Sequence, residues 1–355
     1  MSGTSLDGLD IVFCSFSYAS AWSYKIRAFT TVNYSNSFKN KLRNAPNLSP
    51  RLMPHLSSEF GQFMAEKLAD FISSNSLSNI DLIASHGHTV FHQPDKGITL
   101  QIGCPKPIYN LLSIPVVSDF RSQDVYWGGQ GAPLVPFVDK VLFNSFNACL
   151  NLGGFSNISF DFKGRRVAFD VCPVNIVLNL WASKQGYDYD DQGSLARSGS
   201  VNTALLDQLN SLDFYKVAYP KSLGWEWVEE FILPLLNNSN LSDVDVLRTF
   251  TEHVAHQLIS VFSQYSIQTV LVTGGGTYNT FLLHRIRELT PSLCLEIDSN
   301  IIESKEALAF AFLGLMRRLN NINVLIFFEG IYDAKSTANN RDPYNVDLFP
   351  RLNGE

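Results

Sequence analysis

Several absences narrow the field. No apolar run reaches the roughly 18 residues that a membrane-spanning helix needs; the nearest candidate, residues 306–316, is too short. No basic stretch precedes an apolar one at the start of the sequence, where Asp7 and Asp10 stand instead. A secretory leader is therefore not expected, and the cytoplasm is the expected location. The five cysteines (Cys14, Cys104, Cys149, Cys172 and Cys294) are far apart, odd in number and never in a Cys-x-x-Cys pair. Neither a disulfide framework nor a zinc site is suggested, and most should be small core residues. Charged residues make up only 17% and the net charge is -6, with Lys and Arg scattered. That argues against an extended polyanion such as nucleic acid and leaves a single phosphorylated small molecule possible. There is no Gly-x-Gly-x-x-Gly after a first strand with an acid about twenty residues on, and no Lys follows a glycine-rich loop. Both the single Rossmann fingerprint and the Walker loop are thereby excluded.

What is present is a chain of 355 residues with 45% hydrophobic residues, enough for a large core and, at this length, two domains. Glycine turns at strand ends recur at its start, middle and end: residues 3–8, Gly153-Gly154, and Gly274-Gly275-Gly276. Residues 9–16 and 24–34 are rich in β-formers and predict a meander. Residues 52–73 carry Phe60, Phe63, Met64, Leu68, Phe71 and Ile72 at helical spacing. Short buried strands are predicted at 80–84, 99–103 and 114–119, and an apolar helix at 134–143. From Cys149 the order begins again with strand, Gly-Gly turn, two strands and a helix over 175–183, a weak repeat of architecture rather than of sequence. Helices are predicted over 201–210, 225–236, 241–266, 281–289 and 304–319, with a strand at 269–273 feeding the triple glycine. Residues 220–224 read as an exposed basic loop. From residue 338 onward an Asn-, Asp- and Pro-rich composition suggests a poorly ordered tail.

Each motif has a plain structural reading beside a chemical one. Small residues over 3–8 let backbone N–H groups approach phosphate oxygens, but Gly-Thr-Ser and Asp-Gly are also hairpin material. The triple glycine between strand and helix could seat a nucleotide against the backbone or merely pack strand on helix. Asp170 ends an apolar strand and could be a general base or the N-cap of the helix that follows Pro173. His86, His88 and His92 lie at i, i+2 and i+6 without a fourth ligand, which fits polar lining of a cleft better than zinc.

Eight blocks in order are more specific than any single turn. They are residues 3–10, Ser85-His86-Gly87-His88-Thr89, Gln101-Ile102-Gly103, Asp119-Phe120-Arg121-Ser122, residues 128–136, Asn151-Leu152-Gly153-Gly154, Pro220-Lys221-Ser222 and Gly274-Gly275-Gly276. Together they resemble the anhydro-N-acetylmuramic acid kinase family, to about residue 316. The resemblance implies an α/β fold of two actin-like (ribonuclease H-like) βββαβα domains facing a nucleotide cleft. It places an N-terminal domain at 1–140 on the substrate and phosphate side, a C-terminal domain at 145–319 with the base and adenosine side, and a tail at 320–355. The implied activity opens a 1,6-anhydro sugar with water while ATP, carrying Mg2+, phosphorylates O6, giving N-acetylmuramate 6-phosphate in cell-wall recycling. Carried over by position, Gly3, Thr4, Ser5, Leu6, Asp7, Gly8, Leu9 and Asp10 would bind ATP phosphates, as would Gly153 and Gly154. Gly274, Gly275 and Gly276 would face the adenosine, Asp170 would be the base, and Arg121, Gln130 and Glu306 would hold the sugar. No dedicated protein metal site, no nucleic acid and no membrane partner is implied; a homodimer is left open.

The chain departs from the family pattern in three places. An apolar strand usually precedes the first glycine block, so either that strand is absent or the start was assigned late. The family's Asp-Thr-Gly-Pro-Gly-Asn stands here as Asp170-Val171-Cys172-Pro173-Val174-Asn175, without either glycine. A C-terminal Thr-Gly-Ala segment is not recognisable after residue 324. Two other classes stay open: a kinase of another sugar or carboxylate on the same fold, and a non-catalytic nucleotide-binding relative.

Overall fold

A computed structural model of the chain describes residues 1–3, 6–321, 326–328 and 331–333. The fold is α/β, and the chain divides into two compact units. The first holds Met1–Leu142 and the chain from Ser304 to residue 321; the second holds Phe143–Glu303 and residues 331–332.

The second unit is built on one sheet. Ala148–Leu152, Phe155–Phe162 and Arg165–Pro173 form an antiparallel meander, with Leu150 opposite Ile158 and Phe160 opposite Val167. Thr269–Thr273 then adds parallel to Ala148–Leu152, with Val272 opposite Leu150, and Cys294–Glu296 adds parallel beyond it. The spatial order of these strands is third, second, first, fourth, fifth, which is the βββαβα arrangement expected from the sequence. The first strand is central and covered on both faces, so it reads as an almost continuous apolar run with Ala148, Leu150 and Leu152 at 0% exposure. The long helix Asp243–Gln264 lies in the same core through Phe250, Val254 and Leu258. Its start is set by Ser242, whose hydroxyl caps Asp245 N–H, and by Asp243 and Asp245 in the first turn, where negative charge suits the helix dipole. Ile331–Asp333 pairs antiparallel with Arg165–Pro173, through Ile331 opposite Val167. Part of the stretch assigned to a tail is thus a sheet strand; residues 338–355 lie outside the described residues.

The first unit holds its strands in smaller groups. Leu9–Tyr18 and Trp22–Val32 form a hairpin, Ile83–Ser85 pairs parallel with Val116–Ser118, and His88–Gln93 pairs with Ile98–Ile102. Ser2 makes isolated bridges to Leu9 and to His88. Met53–Ser74 is the expected long helix; its buried stripe of Leu56, Phe60, Met64 and Phe71 packs with Tyr34 and Ile102. Each such side chain contributes about 1.5–3 kcal/mol by leaving water.

One boundary differs from the sequence reading. The last helix begins at Ser299 rather than 304, and from Ser304 onward it belongs to the first unit, not the second. Its aromatic side chains decide this: Phe312 lies 5.3 Å from Phe16 and 5.4 Å from Trp22, and Phe310 lies 4.3 Å from His86 and 5.2 Å from Phe120. Those partners come from strands and loops far back in the chain, beyond the reach of local periodicity.

Candidate active site

In the second unit two of the three glycine turns come together. The chain leaves Ala148–Leu152 through Gly153-Gly154, and the helix Asn175–Lys184 starts directly over that turn. Val174 and Ile176 donate their N–H groups to Gly154 O at 2.8 and 3.2 Å, and Asn175 donates to Gly153 O at 3.2 Å. Gly274-Gly275-Gly276 follows the neighbouring strand and presses on the same strand end. Gly274 has φ +87°, and a Cβ there would lie 2.4 Å from Asn151 Oδ1 and 2.8 Å from Leu152 O. A Cβ on Gly276 would lie 2.7 Å from Leu152 Cβ, whereas one on Gly275 meets nothing nearer than Asn175 Nδ2 at 3.9 Å. Two glycines are required by close approach; the middle one presents open backbone. Asn175, whose Nδ2 donates to Leu152 O at 3.2 Å, stands between the turns. Sequence reasoning quoted Asn175 only as the end of a motif and did not assign it to the site.

Asp170 lies in the strand Arg165–Pro173, four residues before Val174 docks on Gly154. Its Oδ2 accepts from Leu223 N–H at 2.8 Å, and its own N–H donates to Lys221 O at 3.2 Å. Burial raises the carboxyl above the usual carboxylate range, partly opposed by the Leu223 bond. Asp170 is not a helix cap: the N-cap of Asn175–Lys184 is Val174, without a side-chain bond. The loop bearing Lys221, expected to be exposed, is half-buried there. The Lys221 ammonium donates to Phe214 O at 3.1 Å and lies 4.6 Å from the Phe214 ring.

The segment after Asp170 shows what replaces the family's glycines. Cys172 lies on extended backbone within a strand, so that position does not need glycine, while Val174 takes φ -131° and ψ -97° at the start of the helix. Val171, Cys172 and Val174 are buried, and Ser156 Oγ ties Cys172 by accepting from its N–H at 3.1 Å and donating to its carbonyl at 3.0 Å.

In the first unit the turn over residues 3–10 is described except for Thr4 and Ser5, which lie outside the described residues. Leu6, at φ +61°, donates its N–H to Gly3 O at 3.2 Å. Leu6 and Leu9 direct their side chains into the core, which leaves backbone groups as what they can offer a ligand. Gly8 runs so close to Trp22–Val32 that a Cβ would lie 2.8 Å from Val32 O. Asp7 is exposed, and Asp10 Oδ1 accepts from the Thr31 hydroxyl at 2.7 Å.

A polar group surrounds Arg121 in the same unit. Arg121 Nε donates to His86 Nε2 at 2.9 Å and Nη1 donates to Gly131 O at 2.7 Å. His86 is held neutral: burial and then the adjacent guanidinium push it down to about 3. Gly131 N–H in turn donates to Asp124 Oδ2 at 2.6 Å, which fixes the turn carrying Gln130. Glu306 is accessible but surrounded by protein; that environment and the charge of Asp10 raise its carboxyl, while Arg121 is close enough to act in the opposite sense. Arg121, Gln130 and Glu306 thus all belong to the first unit, and Asp124 is a member that the sequence reading passed over as loop. The three histidines are held separately: His88 Nδ1 by Ser2 Oγ at 3.0 Å, and His92 by Thr99 at 3.1 Å. Among the described residues no group of three His, Cys, Asp or Glu could hold a metal ion. No helix among them is long and apolar enough to cross a membrane.

Comparison with known proteins adds to this geometry. A family model described as anhydro-N-acetylmuramic acid kinase matches residues 1–326. Proteins of that name from Aliivibrio fischeri and Bacillus cereus are 32% identical over 340 residues and 33% identical over 345 residues. The alignments cover 89% of this chain and 91% of the A. fischeri protein, and 88% of this chain and 90% of the B. cereus protein. A protein of the same name from Pseudomonas syringae is 38% identical over 252 residues, covering 67% of this chain and 68% of its own length.

Proposed function

The chain belongs to the anhydro-N-acetylmuramic acid kinase family, and from that premise we propose that it opens 1,6-anhydro-N-acetylmuramic acid with water and phosphorylates O6 from ATP. The products are N-acetylmuramate 6-phosphate and ADP, which places the reaction in cell-wall recycling, in the cytoplasm. The observation that carries the mechanism is the half-buried carboxylate of Asp170, held by Leu223 N–H four residues before the chain docks on the Gly153-Gly154 turn.

In this reading Asp170 takes a proton from water as the water oxygen bonds to the anomeric carbon. The bond from that carbon to O6 breaks, O6 bonds to the γ-phosphorus, and ADP departs. General-base help of this kind is worth about 10²- to 10⁴-fold, and positioning supplies most of the rest. A raised carboxyl is the better proton acceptor, and its single backbone donor leaves carboxylate lone pairs for a water. Backbone N–H groups of the turns at residues 3–10 and at Gly153-Gly154 are assigned to phosphate oxygens, and Gly274, Gly275 and Gly276 to the adenosine. The carboxylates of Asp7 and Asp10 are the oxygen donors that would face a Mg2+ ion bound with the nucleotide, which would supply neutralisation of phosphate charge. Arg121 is assigned to the lactyl carboxylate by charge, with Gln130 and Glu306 on sugar hydroxyls.

The test is ADP release by the purified protein. Turnover is expected to depend on 1,6-anhydro-N-acetylmuramic acid, and Asp170→Asn is expected to lose at least about 10²-fold in kcat while still binding ATP. Near-wild-type turnover by that variant would remove Asp170 as the base. ATP binding without stimulation by any sugar would favour a non-catalytic relative.

A further inference from the structure

In the second unit a chain of hydrogen bonds runs from the core helix Asp243–Gln264 to the loop that holds Asp170. Two bonds tie Asp170 to that loop: Oδ2 accepts from Leu223 N–H at 2.8 Å, and the Asp170 N–H donates to Lys221 O at 3.2 Å. The loop has little apolar anchorage of its own, since Lys216, Val217, Ala218, Pro220 and Ser222 are exposed. Side-chain ties hold it instead. The Lys221 ammonium closes the loop on itself by donating to Phe214 O at 3.1 Å, with the Phe214 and Phe169 rings 4.6 and 5.7 Å away. The next residue, Tyr215, has its hydroxyl 2.9 Å from His253 Nε2, and His253 Nδ1 lies 2.7 Å from Asn210 Oδ1. Gln257 Nε2 donates to the same Asn210 oxygen at 2.8 Å. These partners fix the protons: an amide oxygen only accepts, so His253 Nδ1 carries the hydrogen and Nε2 accepts from the Tyr215 hydroxyl. The far end of the chain is rigid, because His253 and Gln257 stand one turn apart on a helix buried through Phe250, Val254 and Leu258.

We propose that Tyr215, held by His253, is a positioning residue for the Asp170 carboxylate. It pins Phe214 to the core helix, the Phe214 carbonyl pins Lys221, and Lys221 and Leu223 then stand where they bond Asp170. A buried polar chain enforces this geometry, because breaking one link leaves its neighbours without partners. The consequence for rate rests on the reading of Asp170 as the base; the consequence for the loop does not.

Tyr215→Phe tests this, since it removes the hydroxyl and keeps the ring against Phe214 and Trp227. In the full chain labelled at leucine for NMR, Leu223 amide exchange is expected to speed up at least about tenfold, while Leu150 and Leu271 in the sheet stay protected. The kcat is expected to fall about tenfold with the KM for ATP unchanged, and the same substitution should cost no further rate in an Asp170→Asn background. Lys221→Met is expected to reproduce the exchange and rate changes, and Lys221→Arg, which keeps a donor for Phe214 O, to reverse them. Unchanged Leu223 exchange in Tyr215→Phe and Lys221→Met would overturn the proposal; the stacking of Tyr219 on Phe169, 5.8 Å apart, would then suffice to hold the loop. Faster exchange at Leu150 and Leu271 as well would overturn it, since the loss would be of the unit's stability. Equal loss of kcat with and without Asp170 would do the same, by showing that Tyr215 serves another residue. If Asp170→Asn keeps wild-type turnover, the base assignment falls, and Leu223 exchange still decides whether Tyr215 places the carboxylate. Should Tyr215→Phe not fold, Lys221→Met against Lys221→Arg gives the decision by the same exchange.

Discussion

At the scale of single residues, the three consecutive glycines after Thr273 are not equivalent. Gly274 needs its positive φ and has no room for a Cβ, Gly276 abuts Leu152, and Gly275 faces open space. Gly274→Ala is expected to lower stability by about 1–3 kcal/mol and to raise the KM for ATP, while Gly275→Ala is expected to leave the melting temperature within about a degree of wild type, its effect confined to nucleotide binding. Thermal melts and initial rates over an ATP series separate the two. Asp170 makes a second residue-scale prediction. Because burial raises its carboxyl, kcat/KM is expected to rise with pH through an apparent pKa above the usual carboxylate range. That limb should vanish from the residual activity of Asp170→Asn.

At the scale of elements, the strand Arg165–Pro173 and the helix after it carry the departure from the family pattern. Cys172 and Val174 stand where the family pattern has glycine; both are buried, and Cys172 lies on extended backbone open to any residue. Restoring glycine at Cys172 is expected to destabilise by about 1–3 kcal/mol, since it removes a buried side chain and frees the unfolded backbone. A urea melt with unchanged m-value checks this. Activity per folded molecule should survive, because Asp170 keeps its bond from Leu223. The ion pair between Glu252 and Arg285 (2.8 and 2.9 Å) joins the long helix Asp243–Gln264 to the helix Thr280–Leu289. Desolvation opposes the Glu252 charge, but Arg285, Arg248 and His256 outweigh it and hold the carboxyl below its usual range. Arg285→Ala is expected to cost about 1–2 kcal/mol in a urea melt, because it removes two charge-assisted hydrogen bonds while Arg248 and His256 still face the Glu252 carboxylate.

At the scale of the whole molecule, buried histidines set the acid limit of stability. His253, at 0% exposure between Asn210 and Tyr215, is pushed down to about 3 by burial, and His86 likewise to about 3. The unfolded chain protonates both near the ordinary value of about 6.5, so it binds more protons than the native state between that pH and about 3. Stability is therefore present above pH 6.5 and falls as pH drops, by up to about 1.4 kcal/mol per pH unit for each histidine. Chemical denaturation between pH 7.5 and 4.5 should show this decline, and a smaller slope in His253→Gln.

Local chemistry alone determined much of this protein. Runs of β-formers located the strands Leu9–Tyr18, Trp22–Val32 and Thr269–Thr273, and helical spacing located the helices Met53–Ser74 and Asp243–Gln264, because the preference for an extended chain and the burial of one helix face are written directly into the residues. Glycine at strand ends was visible as well, since few other residues serve there. Tertiary structure decided what spacing cannot encode. The meeting of Gly274 and Gly276 with Leu152, the Leu223 bond on Asp170, and the Arg121–His86–Gly131–Asp124 network all join groups distant in sequence. The same holds for the passage of the last helix to the first unit, which depends on Phe310 and Phe312 finding aromatic partners far back in the chain. Such contacts depend on chain topology, and a backbone position's need for glycine is set by what approaches it in space.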